Sequence, residues 1–363
     1  MQFLKKITFI KKRDYVPEDV YKKRWSILSV LCLSLLIVMV GNTSLNVALP
    51  TLSRELNASN AQLQWLVDSY SLVFAGFLFM AGALGDRFGR KGILQLGLAL
   101  FAAAAAYSAF GVSTANQLIG ARAVMGLAGA MIMPATLSIL TNVFPPKERA
   151  KAVALWAGVS GGGTAFGPLL SGFVLEHFSW HAVFLLNIPL IILAVILGAL
   201  LIPRTVDPNH TKLDIPGSLL TVVGLVAIVY AIIEAPTHGW TSPQTLLTLG
   251  GGLFAMLVFV WWQLRAKHPM LDVRLFKKPA FGISSLVLIL VFFALMGMFF
   301  NMSLLMQLVY GYQPLDAAVK MLPMSFAIVF ASIASPRLVT KFGKRKIVSG
   351  GMLTIALGVV ILS

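Results

Sequence analysis

Residues 82–94 read GALGDRFGRKGIL, a charged turn of a few residues set between two long apolar runs. The run before it covers about 61–84 and the run after it about 92–111. A bilayer core needs roughly 20 consecutive mostly apolar residues per helix, and each run meets that length. Glycines at 85 and 89 allow a tight reversal close to a neighbouring helix. Arg87, Arg90 and Lys91 would hold the turn on the cytoplasmic side of a membrane. Asp86, at the end of the preceding helix, is placed to pair with a basic residue or to cap the next one.

Outward from this turn the same grammar continues. Apolar runs recur at about 26–50, 61–84, 92–111, 116–141, 150–175, 183–203, 215–235, 244–264, 281–307, 315–335 and from 347 on. They predict an all-α polytopic membrane protein with about eleven transmembrane helices, because in lipid every backbone amide needs an internal partner. Alternating segments of about ten residues, the mark of a membrane β-barrel, are absent from the sequence. Only 12% of the 363 residues are charged, against about 25% in an ordinary soluble domain.

The charges that remain are sorted. Of the 29 Lys and Arg, all but Arg54, Arg122 and Lys320 lie in the first 25 residues or in alternate loops, at 85–91, 142–151, 204–214, 265–280 and 336–346. The positive-inside rule therefore puts the N-terminus and those loops in the cytoplasm. This sorting also explains the formal net charge of +16 and excludes a nucleic-acid partner, which would need the basic groups gathered on one folded face or tail. Lys5, Lys6, Lys11, Lys12, Arg13, Lys22, Lys23 and Arg24 form a basic arm that suits an anionic leaflet or is simply solvated. The first apolar run is too long for a cleavable signal core. The single cysteine, Cys32, has no intrachain partner.

The turn at 83–91, ALGDRFGRK, has a counterpart at 337–345, RLVTKFGKR. Leu84, Phe88 and Gly89 align with Leu338, Phe342 and Gly343, and Thr340 stands where Asp86 is. Two related bundles, each with a basic turn after its second helix, match the internal repeats of secondary transporters. In that register 1–25 is the arm, 26–203 a six-helix bundle, 204–264 a pair of accessory helices, and 265–363 the first three helices of a second bundle. The repeat leads one to expect three further helices, so the chain reads as a fragment or a truncation.

GALGDRFGRKGIL resembles the loop motif of the major facilitator superfamily, G-x-L-[GA]-D-R-x-G-R-[KR], carried here by Gly82, Gly85, Asp86, Arg87, Gly89, Arg90 and Lys91. In that family the loop is a conformational latch. ARAVMGLAGA (121–130) is similar to the family's arginine motif on the fourth span. An arginine inside a span faces a partner or a wet cavity, or, as the alternative, snorkels to the interface. Gly126, Gly129 and Ala130 let helices approach closely. GGGTAFGPLLSG (161–172) is similar to the antiporter motif on the fifth span. Pro168 is expected to kink the helix while Gly163, Gly167 and Gly172 thin one face, with Ser171 where the family prefers glycine. That stretch lacks the G-K-[ST] of a phosphate loop.

NTSLNVALP (42–50), QWLVDSYSLVFAG (64–76), SWHAVFLLNIP (179–189) and the two central spans narrow the resemblance to the fourteen-helix drug:proton antiporters, of whose helices eleven are present. The resemblance implies proton-driven efflux of drugs or amphipathic cations across the cell (inner) membrane, a substrate of small-molecule size and no cofactor; it leaves the oligomeric state open, with a monomer as the expectation. One departure matters: Gly41, beside Asn42, stands where these proteins usually carry an aspartate. An export of one metabolite or peptide without proton coupling, or a membrane protein that does not transport, are the rival expectations.

Asp68 is the one carboxylate well inside an N-terminal span. By helical rise it, Arg122, Asn42 and Asn46 fall in one layer contributed by three helices. The expectation is that Asp68 takes a proton or a cationic substrate while Arg122 tunes it. Tyr70, Asn301 and Gln307 are weaker candidates for cavity lining, since such side chains more often pack. Glu234 is expected to be solvated at an outer helix end. His177 and His181 straddle a helix end without a third ligand, so no metal site is expected. No nucleophile–base pair or nucleotide loop appears, which leaves enzyme chemistry without a foothold.

Overall fold

The computed structural model describes residues 17–205 and 213–362. Lys5, Lys6, Lys11, Lys12, Arg13 and most of the 204–214 loop lie outside the described residues. Each expected span falls on a helix: α1 Glu18–Glu55, α2 Asn60–Phe88, α3 Arg90–Phe110, α4 Ala115–Val143, α5 Pro146–His177, α6 His181–Leu185, α7 Asn187–Leu201, α8 Ile215–His238, α9 Pro243–Arg265, α10 Pro279–Leu304, α11 Pro314–Phe342 and α12 Lys344–Leu362. Eight of these segments, α6 and α7 counted together, are long and apolar enough to cross a membrane. The described residues contain no strand.

Two expectations about boundaries are corrected. α1 begins at Glu18, so the last residues of the basic arm already belong to the first helix. The sixth span is broken at Leu186 into α6 and α7.

At one end of the bundle the start of α1 lies against the turn between α4 and α5, where Trp25 meets Phe144 edge-on. At that end Arg24 of α1 donates through Nε to Glu148 Oε2 of α5 at 2.8 Å. At the opposite end the starts of α2 and α4 are capped by neutral groups. Ser59 Oγ accepts from the Gln62 amide and Thr114 Oγ1 from the Gln117 amide, each completing a capping box. Gln62 then donates to Asn116 Oδ1 at 2.9 Å, tying α2 to α4.

The core lies among α1, α3 and α4, where Leu31, Leu35, Leu94, Leu98, Phe101 and Ile132 have no exposed surface. α1 packs on α4, α5 and α7; α2 packs on α4 and α8; α8 pairs with α9; and α11 lies along α5. Outward faces are apolar as well: Leu247 of α9 is 76% exposed and Phe293 of α10 is 81% exposed. Apolar surface on that scale belongs against lipid, and with the long apolar helices it makes this a multi-pass membrane protein.

Candidate functional site

α4 owes its place to what it lacks. A Cβ on Gly126 would press into the Tyr70 peptide of α2, onto its carbonyl oxygen and within 3.0 Å of its carbonyl carbon. A Cβ on Gly129 would lie 2.9 Å from the Tyr70 hydroxyl and 3.4 Å from Val38 of α1. The small residues therefore seat α4 against both α1 and α2.

Arg122 occupies that seam with no exposed surface. Its Nε donates to the Leu66 carbonyl of α2 at 3.1 Å and its Nη1 to the Gly41 carbonyl of α1 at 2.6 Å. The guanidinium carbon stands 4.5 Å from the centre of the Tyr70 ring, and the Tyr70 hydroxyl donates to the Val38 carbonyl at 3.1 Å. Two carbonyl dipoles and a π face thus stabilise a cation removed from water. Nη2 is buried without a hydrogen-bond partner, and no carboxylate among the described residues pairs with Arg122. The alternative of an interfacial, snorkelling arginine is excluded.

Within the expected layer of four polar side chains, the partners of Arg122 are not the ones expected. Arg122 does reach α1 and α2, but it meets backbone there, at Gly41 and Leu66, rather than Asp68, Asn42 or Asn46. Asp68 sits two residues from both Leu66 and Tyr70, which turns it away from the arginine on a helix of 100° per residue. It shares a stripe of α2 with the exposed residues Gln64, Ser71 and Ala75, and it is half-buried with no ion pair or hydrogen bond among the described residues. Tuning of Asp68 by contact with Arg122 is therefore not the arrangement found. Asn42 and Asn46 are half-buried on α1, between the face given to α4 and the face given to α5.

Gly41 has its own reason. A Cβ there would stand 2.5 Å from Phe101 Cζ of α3, so a larger residue requires that ring to move. Tyr70 was expected as a cavity-lining candidate; it is instead 2% exposed and braces the arginine seam. Asn301 is exposed and donates to its own helix at Gly297, and Gln307 lies half-buried in a wide helical turn, Leu305–Val309.

The glycines of α5 meet α1. A Cβ on Gly163 would lie 2.7 Å from Met39 Cβ; one on Gly167 would strike Thr43 Oγ1 and come within 3.0 Å of the Ser44 amide nitrogen. Gly172 and Ser171 are buried. α5 continues as a single helix through Pro168. His177 Nδ1 lies 2.9 Å from the Phe173 carbonyl oxygen, and His181 stacks on Trp180. Glu234 is half-buried and stands 3.7 Å from His238 one turn on, so it is less solvated than expected.

At the basic end the turn between α2 and α3 pivots on Gly89, at φ +112°, a conformation other residues rarely adopt. Gly85, by contrast, is helical with ordinary room for a Cβ, 3.9 Å from its nearest neighbour, so only one of the two glycines makes the turn. Gly82 has similar room, 3.5 Å from Pro134. Asp86 Oδ1 accepts from Arg90 Nε at 2.8 Å and Nη2 at 2.7 Å. Lys91 donates to the Ala199 and Ile202 carbonyls at 2.7 and 2.8 Å, capping the C-terminus of α7 where a cation suits the helix dipole. Arg87 is exposed beside the Phe88 ring. The second turn repeats the backbone: Gly343 has φ +83° between α11 and α12. Thr340 there donates to the Arg337 carbonyl at 2.8 Å, so the carboxylate–arginine pair is present in the first turn alone.

One residue of this end escaped the sequence reading. Asp214, 8% exposed, accepts four hydrogen bonds: from the Gly217 amide and Trp262 Nε1 on Oδ1, and from Gln263 Nε2 and the Met270 amide on Oδ2. Burial works against its charge, but the donations from Trp262, Gly217, Gln263 and Met270 outweigh it and hold the carboxyl below its ordinary range. The signal was available, since an aspartate followed by a proline within two residues marks a helix start.

The sequence model of the Major Facilitator Superfamily matches residues 31–363. The chain belongs to the major facilitator superfamily. It is 37% identical over 337 residues to the multidrug efflux pump LfrA of Mycolicibacterium smegmatis, covering 93% of this chain and 66% of that pump. It is 36% identical over 339 residues to the methyl viologen resistance protein SmvA of Salmonella typhimurium, covering 92% and 68%. The chain thus spans about two thirds of the length of these relatives. The facilitator fold is shared with tetrameric PepTSo2, at TM-score 0.60 and 15% identity over 92% of this chain and 75% of that one.

Proposed function

We propose that this facilitator chain carries the transport machinery of an exporter of small amphipathic, often cationic compounds, driven by inward proton flow. The observation that carries this reading is a division of labour in one layer. Arg122 is locked into the α1–α2–α4 seam by backbone acceptors, whereas Asp68 at the same level has no fixed partner among the described residues and lies on the open stripe of α2. A carboxylate held without a resident cation is free to exchange a proton for a cationic substrate. The names of its relatives, a multidrug efflux pump and a methyl viologen resistance protein, support the same class.

In this mechanism the bundle 26–203 rocks against the helices beyond 265, with 204–264 as an accessory pair. The α1–α5 contact, tight at Gly163 and Gly167, lets α5 follow α1 while its other side slides on α11. Arg122 keeps α1, α2 and α4 moving as one body. The N-terminus and basic loops lie on the cytoplasmic side of a cell membrane; the Asp86–Arg90 pair closes the latch turn on itself and the Lys91 clamp holds it to α7. Asn42 and Asn46 offer neutral polar contacts beside Asp68.

The deciding experiment is efflux of a fluorescent organic cation from proteoliposomes under an imposed pH gradient. Asp68→Asn should abolish gradient-driven flux at normal protein levels. Unchanged flux in that variant sinks the role of Asp68. Gly41 motivates the rival reading of transport without proton coupling, and wild-type flux indifferent to the gradient would establish it.

A further inference from the structure

A cavity of about 430 Å³ opens at the basic end, away from the Asp68 layer. Its walls come from α2, α4, α5, the start of α8 and the segment after α9. Most of its surface is apolar or soft: Phe79, Met133, Leu137 and Trp156 stand on the bundle side and Met270 on the accessory side. Two carboxylates interrupt that lining, Asp86 and Asp214.

Their charges are not balanced alike. Arg90 engages Asp86 through Nε and Nη2, both on Oδ1. Asp214 is held ionised by four neutral donors, two on each oxygen. No cation among the described residues pairs with it. Hydrogen bonds orient and stabilise such a charge but do not cancel it, so the wall carries one carboxylate with no cation paired to it among the described residues. Trp156 is itself 8% exposed and donates to Thr136 Oγ1, which fixes the indole as a rigid wall.

We propose that this cavity is a second binding site, for an amphipathic organic cation, built where the accessory pair α8–α9 meets the first bundle. The volume falls within the roughly 300–1,000 Å³ of small-molecule sites. Aromatic and methionine side chains suit a bulky, variable apolar body. The uncancelled aspartate selects for positive charge and against anionic lipid headgroups. Because Asp86 is both a wall of the cavity and the acceptor of the latch arginine, an occupant would sit directly against the turn that closes the bundle. The occupant's role as cargo rests on the export reading above; its binding does not.

The test is equilibrium dialysis of radiolabelled tetraphenylphosphonium against the purified full chain in detergent, with uncharged triphenylphosphine oxide as the comparison. The wild type should bind the cation saturably and the neutral compound at least tenfold more weakly. Asp214→Asn keeps a helix-capping side chain and should weaken cation binding at least fivefold. Leu137→Trp fills the cavity from a half-open position and should remove binding; it decides the matter if Asp214→Asn does not fold. Binding that ignores both variants, or that is equal for charged and neutral compounds, overturns the proposal. Saturable, variant-sensitive binding together with no gradient-driven flux would leave this site standing and defeat the export reading. Normal flux with variant-insensitive binding would do the reverse.

Discussion

Gly126→Ala tests the seam that places Arg122. The added methyl would meet backbone, with the Tyr70 carbonyl carbon at 3.0 Å and its Cα at 3.1 Å, where carbon atoms prefer about 3.5–4.0 Å. Backbone cannot rotate aside, so α2 and α4 must part by roughly 0.5–1 Å. That movement stretches the Arg122–Leu66 bond from 3.1 Å past the limit of a hydrogen bond. Overpacking costs about 1–3 kcal/mol and a charge-assisted hydrogen bond about 1.5–3 kcal/mol, against about 0.5–1 kcal/mol regained by replacing a helical glycine. The net expectation is a loss of about 2–5 kcal/mol. Gly120→Ala on the same helix is the matched control, because nothing lies within 4 Å of its Cβ position; its stability should be unchanged or slightly raised. Thermal unfolding in detergent, followed by tryptophan emission, reads both. A Gly126→Ala melting point within a degree or two of Gly120→Ala would refute the close-packed seam.

Three further outcomes follow from the same geometry. Gly167→Ala should destabilise the α1–α5 contact and slow efflux, because its Cβ meets Thr43 and the Ser44 amide; Gly158→Ala, with open space around it, should do neither in the same assays. Gln263→Leu removes a donor to Asp214 at 2.6 Å and strands the Leu271 amide that donates to it, a loss of about 2–4 kcal/mol visible as a lowered melting point. The hydrogen bond from Arg24 holds Glu148 below the ordinary glutamate value of 4.5. That pair therefore adds stability above about pH 4.5 and loses it as pH falls through the lower folded value. Arg24→Met should flatten the melting-point curve between about pH 5 and 3, and an unchanged slope would assign acid sensitivity elsewhere.

The membrane, the helical spans and the gathering of Lys and Arg into alternate loops are legible in the sequence. Those follow from local quantities: the length of apolar runs, the siting of Lys and Arg, and glycines such as Gly89 and Gly343 at turns that need positive φ. The sequence also brought Arg122 level with α1 and α2 near residues 41 and 66, since helical rise is nearly constant. Direction around a helix was a different matter. Asp68 and Tyr70 are two residues apart, yet one lies on an open stripe and the other is sealed under the arginine, because only packing against α4 decides which face is covered. The partners of Arg122 are the carbonyls of Gly41 and Leu66, and every residue has a carbonyl, so no letter in the sequence marks them. Asp214 shows the same limit at longer range. Its position before a proline announces a helix cap, but its bonds to Trp262, Gln263 and Met270 exist because α8 and α9 fold back into a hairpin. Local composition fixes which segments enter lipid; the neighbours that cover each face are set by helix packing, and with them which polar groups are locked and which are left free to act.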